Sequence, residues 1–219
     1  MPKILFEKMG NAVWISHLDL MRLFQRAFKR AGLPLKHTQG FNPRPSVSIA
    51  LPLSVGVESR CELLDFDLDT TEIISNSQIV TRLNNSLVDG IKVLDCYDHG
   101  GKLRDLAYLR CKITMEYDHN HHNAAEIIKQ LLTKKSLIVP KKTKNGIQDQ
   151  DIIPMIRSCD VEQPDDQTAI LDVVVCCQNP TLNPMQIVEA IRIYEPEIAP
   201  EFVKCCRISL YDRQEAKFK

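Results

Sequence analysis

The chain has 219 residues, of which 44% are apolar and 26% charged, a composition typical of a globular protein with a hydrophobic core. It lacks an apolar run of about 18 residues, the length that a membrane-spanning helix needs. The first ten residues, MPKILFEKMG, do not resemble a signal peptide, so we expect a cytoplasmic protein that does not enter a membrane.

The first half of the chain predicts the element order β-α-β-β-α-β. The predicted strands are 3–8, 45–53, 61–67 and 91–96. One helix begins after Ser16, a typical N-cap with Asp19 three residues on, and a second covers about 77–87. Seven apolar residues of the first helix recur at helical spacing and are its predicted core face: Leu18, Met21, Leu23, Phe24, Ala27, Phe28 and Ala31.

The second half repeats this order. The predicted strands are 107–117, 137–142, 169–177 and 203–211, and the helices follow Asn123 and Asn183-Pro184. The segment up to Gln163 is ambiguous between an extra hairpin and a short helix near 152–156. The pattern predicts an α+β protein made of two tandem ferredoxin-like (βαββαβ) domains, 1–99 and 103–219, joined by a linker at 98–102. The alternative is a single mixed sheet that merges both halves.

Charge is distributed unevenly along the chain. Residues 1–60 contain nine Lys and Arg residues and three acidic ones, a net charge of +6, although the whole chain is neutral. Such asymmetry favours a basic face that meets an anionic partner. The alternative is a chance distribution that the acidic half balances in space.

The first helix concentrates part of this charge on one face. Arg22, Arg26 and Arg30 are spaced four residues apart, and Lys29 stands beside them. Guanidinium groups bind phosphates with two parallel hydrogen bonds, so these arginines are candidate contacts for RNA or another anion. An ordinary solvated helix face is the alternative reading.

The segment from His37 to Pro45, HTQGFNPRP, has the composition of a recognition loop. Gly40 permits unusual backbone conformations and the prolines stiffen the segment. Phe41 could stack on a base, while Asn42 and Arg44 offer hydrogen-bond donors. The alternative is a structured crossover in which Phe41 packs into the core.

Histidines raise the question of catalysis. His17 opens the first helix, and either His17 or His37 could serve as a general base. Certain CRISPR-RNA-processing endonucleases with tandem ferredoxin-like domains use a histidine in this way, but the analogy is one of fold alone. We therefore predict no catalytic residue, and His17 is kept as a candidate binding residue.

Metal and cofactor chemistry find little support in the sequence. The three histidines of segment 118–122 are close together in a polar turn, where they rarely converge on one ion. The eight cysteines lie mostly in apolar runs and include no CxxC pair and no CxxxCxxC triplet for an iron–sulfur cluster. We predict buried free thiols, no metal site and no cofactor.

Four stretches of the first 60 residues resemble a bacterial family, the radical-SAM-linked (radical-SAM-associated) proteins, a domain of unknown function. The stretches are ISHLDLMR (15–22), RAFKRAGLP (26–34), QGFNPRP (39–45) and ALPLSVGVES (50–59). The residues that match the family signature are Ser16, His17, Asp19, Arg22, Arg26, Gly40, Phe41, Asn42, Pro43, Pro45 and Gly56.

The resemblance implies a partner rather than a reaction. In some members this domain is fused to the C-terminal end of a radical SAM protein; others are encoded beside such a protein and a ribonuclease of the E/G type. We expect an accessory protein of a radical SAM enzyme that binds RNA or another anionic substrate. Its candidate binding residues are His17, Arg22, Arg26, Arg30, Phe41, Asn42 and Arg44. The alternatives are a metal-independent RNA-processing enzyme and an assembly protein that docks on an acidic partner.

Overall fold

A computed structural model of the chain describes residues 1–98, 100–101, 103–143 and 146–218. It is a mixed α+β protein that divides into two compact units, residues 1–105 with 218–219 and residues 106–217. Two predicted features, the linker at 98–102 and the turn at 144–146, lie in part outside the described residues.

The first unit contains four strands and two α-helices. Its elements are β1 (Lys3–Lys8), α1 (His17–Arg30), β2 (Val47–Ile49), β3 (Glu58–Phe66), α2 (Asn76–Asn84) and β4 (Ile91–Tyr97), with a 3₁₀ helix at Gly10–Trp14. The strands lie in the order β4-β1-β3-β2, and every pair is antiparallel. The predicted element order of this half is confirmed.

The core of the first unit lies between its helices and its sheet. Phe24 and Phe28 of α1 are fully buried and meet Phe6 and Phe66 at ring-centroid distances of 4.7 and 5.0 Å. Leu18 was predicted on this face, but it is 67% exposed. At about 100° per residue, Leu18 lies about 120° around the helix axis from Phe24, outside the buried stripe.

The second predicted strand of this half is shorter than expected. Only Val47–Ile49 of the predicted segment 45–53 pairs with β3. Leu51 has a φ of 46°, which breaks the extended backbone, and Pro52 has no N–H group to donate. The residues before Val47 are therefore available to form the loop described below.

The second unit contains six strands and two α-helices. Its elements are β5 (Leu106–Glu116), α3 (Ala124–Leu132), β6 (Ile138–Thr143), β7 (Gly146–Asp151), β8 (Ile156–Asp165), β9 (Thr168–Cys176), α4 (Met185–Tyr194) and β10 (Phe202–Asp212). One antiparallel sheet has the order β10-β5-β9-β8, and β6 and β7 form a separate hairpin.

Two predictions for this half need correction. The predicted strand 137–142 does not join the main sheet, because β6 pairs with β7 and β8 occupies the position beside β9. The last helix is capped by Pro184 rather than Asn183. The Asn183 carboxamide still contributes, because its Oδ1 accepts a hydrogen bond from the Met185 N–H at 3.1 Å.

The eight cysteines lie outside disulfide bonds, and six of them are buried. Burial raises the pKa of Cys96 and of Cys177 to about 12, so both behave as small apolar side chains at neutral pH. In the described part of the chain, no helix is both long enough and apolar enough to cross a membrane.

Candidate functional site

The start of α1 is held by Ser16 and Asp19. The Ser16 hydroxyl accepts a hydrogen bond from the Asp19 N–H at 3.2 Å and donates to Asp19 Oδ2 at 2.7 Å. Arg22 donates to Asp19 Oδ1 at 3.0 Å. The hydrogen bond from Ser16, followed by that from Arg22, lowers the pKa of the Asp19 carboxyl. An acidic group thus already occupies the positive end of this helix.

A buried lysine fixes the backbone that enters α1. Lys8 is 1% exposed, and its ammonium group donates to the carbonyls of Val13 and Ile15 at 3.2 and 2.8 Å. Burial lowers the pKa of Lys8, and the nearby Glu62 carboxylate partly opposes that shift. Both carbonyls stand just before the N-cap, so Lys8 positions the first turn of α1.

The three predicted arginines have different surroundings. Arg22 pairs with Asp19, and Arg30 donates to the Ser86 carbonyl at 2.5 Å, in the connection that follows α2. Arg26 instead lines a cavity. The spacing of four residues places all three on exposed helix surface, and Arg26 is the one of the three that lines the cavity described next.

This cavity has a volume of about 530 Å³ and lies between the second half of α1 and the segment that follows it. Gln25, Arg26 and Lys29 contribute from the helix; Gly32, Leu33, Pro34, Leu35, His37 and Pro45 complete the lining. Leu33 and Leu35 are buried and form an apolar floor. No carboxylate within the described ranges forms an ion pair with Arg26 or Lys29. We call this feature the α1 cavity.

The wall of the α1 cavity continues into a closed loop. His37 and Pro45 pair as an isolated antiparallel bridge, the Thr38 N–H donates to the Arg44 carbonyl at 2.8 Å, and the Arg44 N–H donates to Thr38 Oγ1 at 3.0 Å. These contacts form a stem for residues 38–44, which we call the Phe41 loop. Gly40 has a φ of 142°, a conformation that other residues rarely adopt.

Phe41 is fully exposed at the far end of this loop. The alternative in which Phe41 packs into the core is therefore wrong. Asn42 and Arg44 are exposed on the same loop. An aromatic ring held in water by a hydrogen-bonded stem gains nothing for the fold, and it offers a flat surface to a ligand.

The predicted residues therefore form two groups. Arg26 lines the α1 cavity, as do His37 and Pro45 at the base of the Phe41 loop, whereas His17 and Arg22 lie in the first two turns of α1. At 1.5 Å per residue, His17 is about 13 Å from Arg26 along the helix axis. Gln25, Lys29 and His37 were not among the predicted binding residues. The three-residue spacing of Arg26 and Lys29 was the available signal for Lys29.

The histidine-rich turn of the second unit has local partners. His122 Nδ1 lies 2.9 Å from Asp166 Oδ2, and the His121 ring lies 4.9 Å from the ring of Tyr117. Across the ranges that the structure describes, no three His, Cys, Asp or Glu side chains are grouped to hold a metal ion.

The chain is a mixed α+β protein whose first unit holds a partly apolar cavity lined by Arg26 and Lys29. A family model described as "Uncharacterized protein conserved in bacteria (DUF2344)" matches residues 3–184. The chain belongs to this bacterial family. No curated protein matches the sequence.

One solved structure resembles the chain in fold alone. A chain of the structure titled "Crystal Structure of a Cbf5-Nop10-Gar1 Complex" aligns with a TM-score of 0.50 and 8% identity over 94% of this chain. The match spans 47% of that chain, about half of its length. An unknown protein from Galdieria sulphuraria aligns over 96% of both chains with 10% identity and a TM-score of 0.26.

Proposed function

We propose that this protein is a non-catalytic RNA-binding module of two tandem ferredoxin-like domains, which assists a radical SAM enzyme in the bacterial cytoplasm. The domain assignment is supported by strand order, because β4-β1-β3-β2 in the first unit has the same pattern as β10-β5-β9-β8 in the second. Each is the order of a βαββαβ domain, with the β6–β7 hairpin inserted in the second.

The single observation that carries the RNA proposal is the fully exposed Phe41, at the end of a loop whose base residues, His37 and Pro45, line the α1 cavity. Proteins that bind single-stranded nucleic acid combine aromatic rings, on which bases stack, with cations that contact the phosphates. Arg26 and Lys29 supply unpaired positive charge next to the Phe41 loop, and Arg44 adds a cation within it.

RNA binding is tested by fluorescence anisotropy with short unstructured and hairpin RNAs at several salt concentrations. We expect Phe41→Ala to weaken binding by about 1–3 kcal/mol, because one stacked base loses its platform. Phe202→Ala is the matched control, since Phe202 is also exposed but lies on β10 of the second unit. Equal affinities of wild type and Phe41→Ala would remove the stacking role.

The charge contribution is tested with Arg26→Ala/Lys29→Ala. Each lost phosphate contact reduces the slope of log affinity against log salt by about 1. Lys92→Ala/Arg104→Ala removes the same charge from exposed positions of the first unit and should keep the wild-type slope. No binding to any RNA at low salt would refute the nucleic-acid proposal and leave the basic surface as a protein-docking site.

The partner proposal comes from the resemblance to radical-SAM-linked proteins. The chain's thiols are mostly buried in the core, so the cluster chemistry would belong to the partner. Affinity purification of the tagged protein from its native cells should recover a radical SAM protein. A purification that repeatedly recovers none would reject the partnership.

An RNA-processing enzyme is the second candidate, because His37 lines the α1 cavity next to Arg26 and Lys29. An imidazole between cations can transfer a proton at a phosphate. Cleavage of RNA by the pure protein without metal, lost in His37→Ala, would favour this candidate over a non-catalytic module.

A further inference from the structure

We infer that the α1 cavity is a site for a terminal nucleotide, a nucleoside with a phosphomonoester at its end, and this inference rests on the proposed RNA-binding function. The site would receive the phosphorylated end of an RNA strand, while the neighbouring base stacks on Phe41. Nothing in the family description or in the solved structures assigns a ligand to this cavity.

The size and lining of the cavity indicate this ligand class. Its volume of about 530 Å³ lies within the range of about 300–1,000 Å³ that is usual for small-molecule pockets. The floor is apolar, formed by Leu33, Pro34 and Leu35, and so suits the flat body of a base. The rim carries Arg26, Lys29 and His37, which suit a phosphate.

The charge favours a terminal phosphate over an internal one. A phosphodiester inside a strand carries one negative charge, whereas a terminal phosphomonoester carries about 1.5 to 2 at neutral pH. Arg26 and Lys29 are three residues apart on α1 and form no ion pair with any described carboxylate. Two adjacent cations without a counter-ion match the more highly charged group.

The shape of the site also favours a chain end. The cavity ends against Leu33 and Leu35, which are buried in the core of the first unit. An internal nucleotide has chain on both sides, so its base would reach this floor only if the strand looped into the cavity. A terminal nucleotide enters with the chain leaving in one direction, past the stem of the Phe41 loop.

Gln25 is placed to read the base. It lines the cavity from α1, and its carboxamide can both donate and accept hydrogen bonds. Gln25 is partly buried, whereas Phe41 lies in water at the end of its loop. The cavity therefore provides selectivity for one nucleotide, and the loop provides affinity without selectivity.

The test uses the intact chain and RNAs of about ten nucleotides, a length within the usual site size. The RNAs share one sequence and carry a 5′-phosphate, a 3′-phosphate or only hydroxyl ends. We expect one terminal phosphate to tighten binding about tenfold, the effect of one to two charge-assisted hydrogen bonds. Equal affinities for all three RNAs would overturn the inference but leave RNA binding through Phe41 intact.

Variants locate the effect. Gln25→Glu has nearly the same shape and adds a negative charge to the cavity, so it should abolish the preference for the phosphorylated end. Lys92→Ala/Arg104→Ala should keep the preference for the phosphorylated end. Phe41→Ala should weaken the binding of all three RNAs by the same factor. A Gln25→Glu variant that folds normally by circular dichroism yet retains the tenfold preference would place the phosphate elsewhere and overturn the inference.

Competition identifies the source of the ligand. A nucleoside monophosphate that displaces the phosphorylated RNA, where inorganic phosphate at the same concentration does not, confirms that base and phosphate are bound together. Inorganic phosphate competing equally would show that the apolar floor is unused, against the inference. Binding of the free nucleotide by a protein that binds no RNA would support the cavity assignment and reject the proposed RNA function.

Discussion

Lys8 is a positive charge inside the core of the first unit, one residue before the segment that leads into α1. Its cost in desolvation is offset by two carbonyl acceptors and by the field of Glu62. The carbonyls of Val13 and Ile15 are in turn satisfied by this ammonium group. Stability and the position of α1 are therefore coupled through one side chain.

Lys8→Met should lower the free energy of unfolding by about 2 kcal/mol at neutral pH, because two carbonyls lose their donor. A pH effect should accompany it. Since the pKa of Lys8 is lowered by folding, the unfolded chain binds more protons between that value and the ordinary 10.5, and stability rises with pH there. In urea denaturation, the free energy of unfolding of the wild type should therefore increase relative to that of Lys8→Met as the pH approaches 10.5.

Lys92→Met is the control for this experiment, because Lys92 is exposed on the neighbouring strand β4. It should change the free energy of unfolding by less than about 0.5 kcal/mol. A difference between wild type and Lys8→Met that stays constant with pH would contradict the shifted pKa.

Gly90 allows the backbone after α2 to touch the 3₁₀ helix that precedes α1. A Cβ added at Gly90 would lie 2.4 Å from the Met9 carbonyl oxygen and 2.8 Å from the Ala12 Cβ. Gly90→Ala should therefore cost about 3 kcal/mol or more by thermal denaturation. Gly10→Ala, also at positive φ but in open space, should cost only about 1 kcal/mol. Similar losses of stability in the two variants would mean that the positive φ, and not the contact with Met9 and Ala12, causes the cost.

For single residues, the sequence indicated which side chains are candidates for a site, but it predicted their contacts less well. Phe41 in a polar loop was recognisable from composition. The surroundings of Arg26 and Arg30 were not, because they depend on segment 33–45 and on Ser86, which approach α1 only after folding.

Among the elements, the helix starts illustrate how much local sequence decides. Ser75 caps α2 in a reciprocal capping box: its hydroxyl accepts from the Gln78 N–H at 3.3 Å, and Gln78 Oε1 accepts from the Ser75 N–H at 2.9 Å. Ser16 caps α1 with a comparable bond from Asp19. Such caps depend on residues three apart, so a sequence pattern reveals them.

Ser75→Ala should reduce the free energy of unfolding by about 1 kcal/mol, because the N–H group of Gln78 loses its acceptor. Thr81→Ala, on the exposed face of the same helix, should be within about 0.5 kcal/mol of wild type, since alanine has the higher helix propensity. The comparison is made by chemical denaturation of the intact chain. A larger loss in Thr81→Ala than in Ser75→Ala would contradict the capping role.

Strand β8 shows where the local sequence pattern fails to predict a strand. Its residues include Arg157, Ser158, Asp160 and Glu162, and it has only one neighbouring strand in its own unit, β9. A strand with a partner on one side and solvent on the other keeps few apolar positions, and Val161 alone is buried here. The more apolar segment 137–142 looked like the better strand, yet it forms a separate hairpin.

At the scale of the whole molecule, the first unit packs together residues that are far apart in the sequence. Phe218 belongs to the first unit, where its ring is 7% exposed and packs against Gly101. The Lys3 ammonium group lies 5.5 Å from the centre of that ring, donates to the Gly101 carbonyl at 2.9 Å and pairs with Asp65 at 3.2 Å. Phe218 therefore belongs to the packing of the first unit, although it lies more than 100 residues along the chain from residues 1–105.

Phe218→Ala should destabilise the first unit by about 3 kcal/mol, the usual cost of emptying a buried phenylalanine site. Hydrogen exchange should show the loss of protection first in β1, which carries Lys3. Phe202→Ala, at an exposed phenylalanine of the second unit, should leave the exchange of β1 unchanged. Protection of β1 that survives Phe218→Ala would show that the C-terminal residues are dispensable.

The stem that joins His37 to Pro45 has a consequence for how the protein can evolve. Because the backbone closes on itself at this pair, residues 38–44 hang outside the core and none of them is buried. Apart from Gly40 and Thr38, which hold the backbone of the loop, residues there can be substituted and selected for a new ligand at almost no cost in folding. For the same reason the nine residues 37–45 form a cassette that an engineer could graft between two antiparallel strands of an unrelated scaffold.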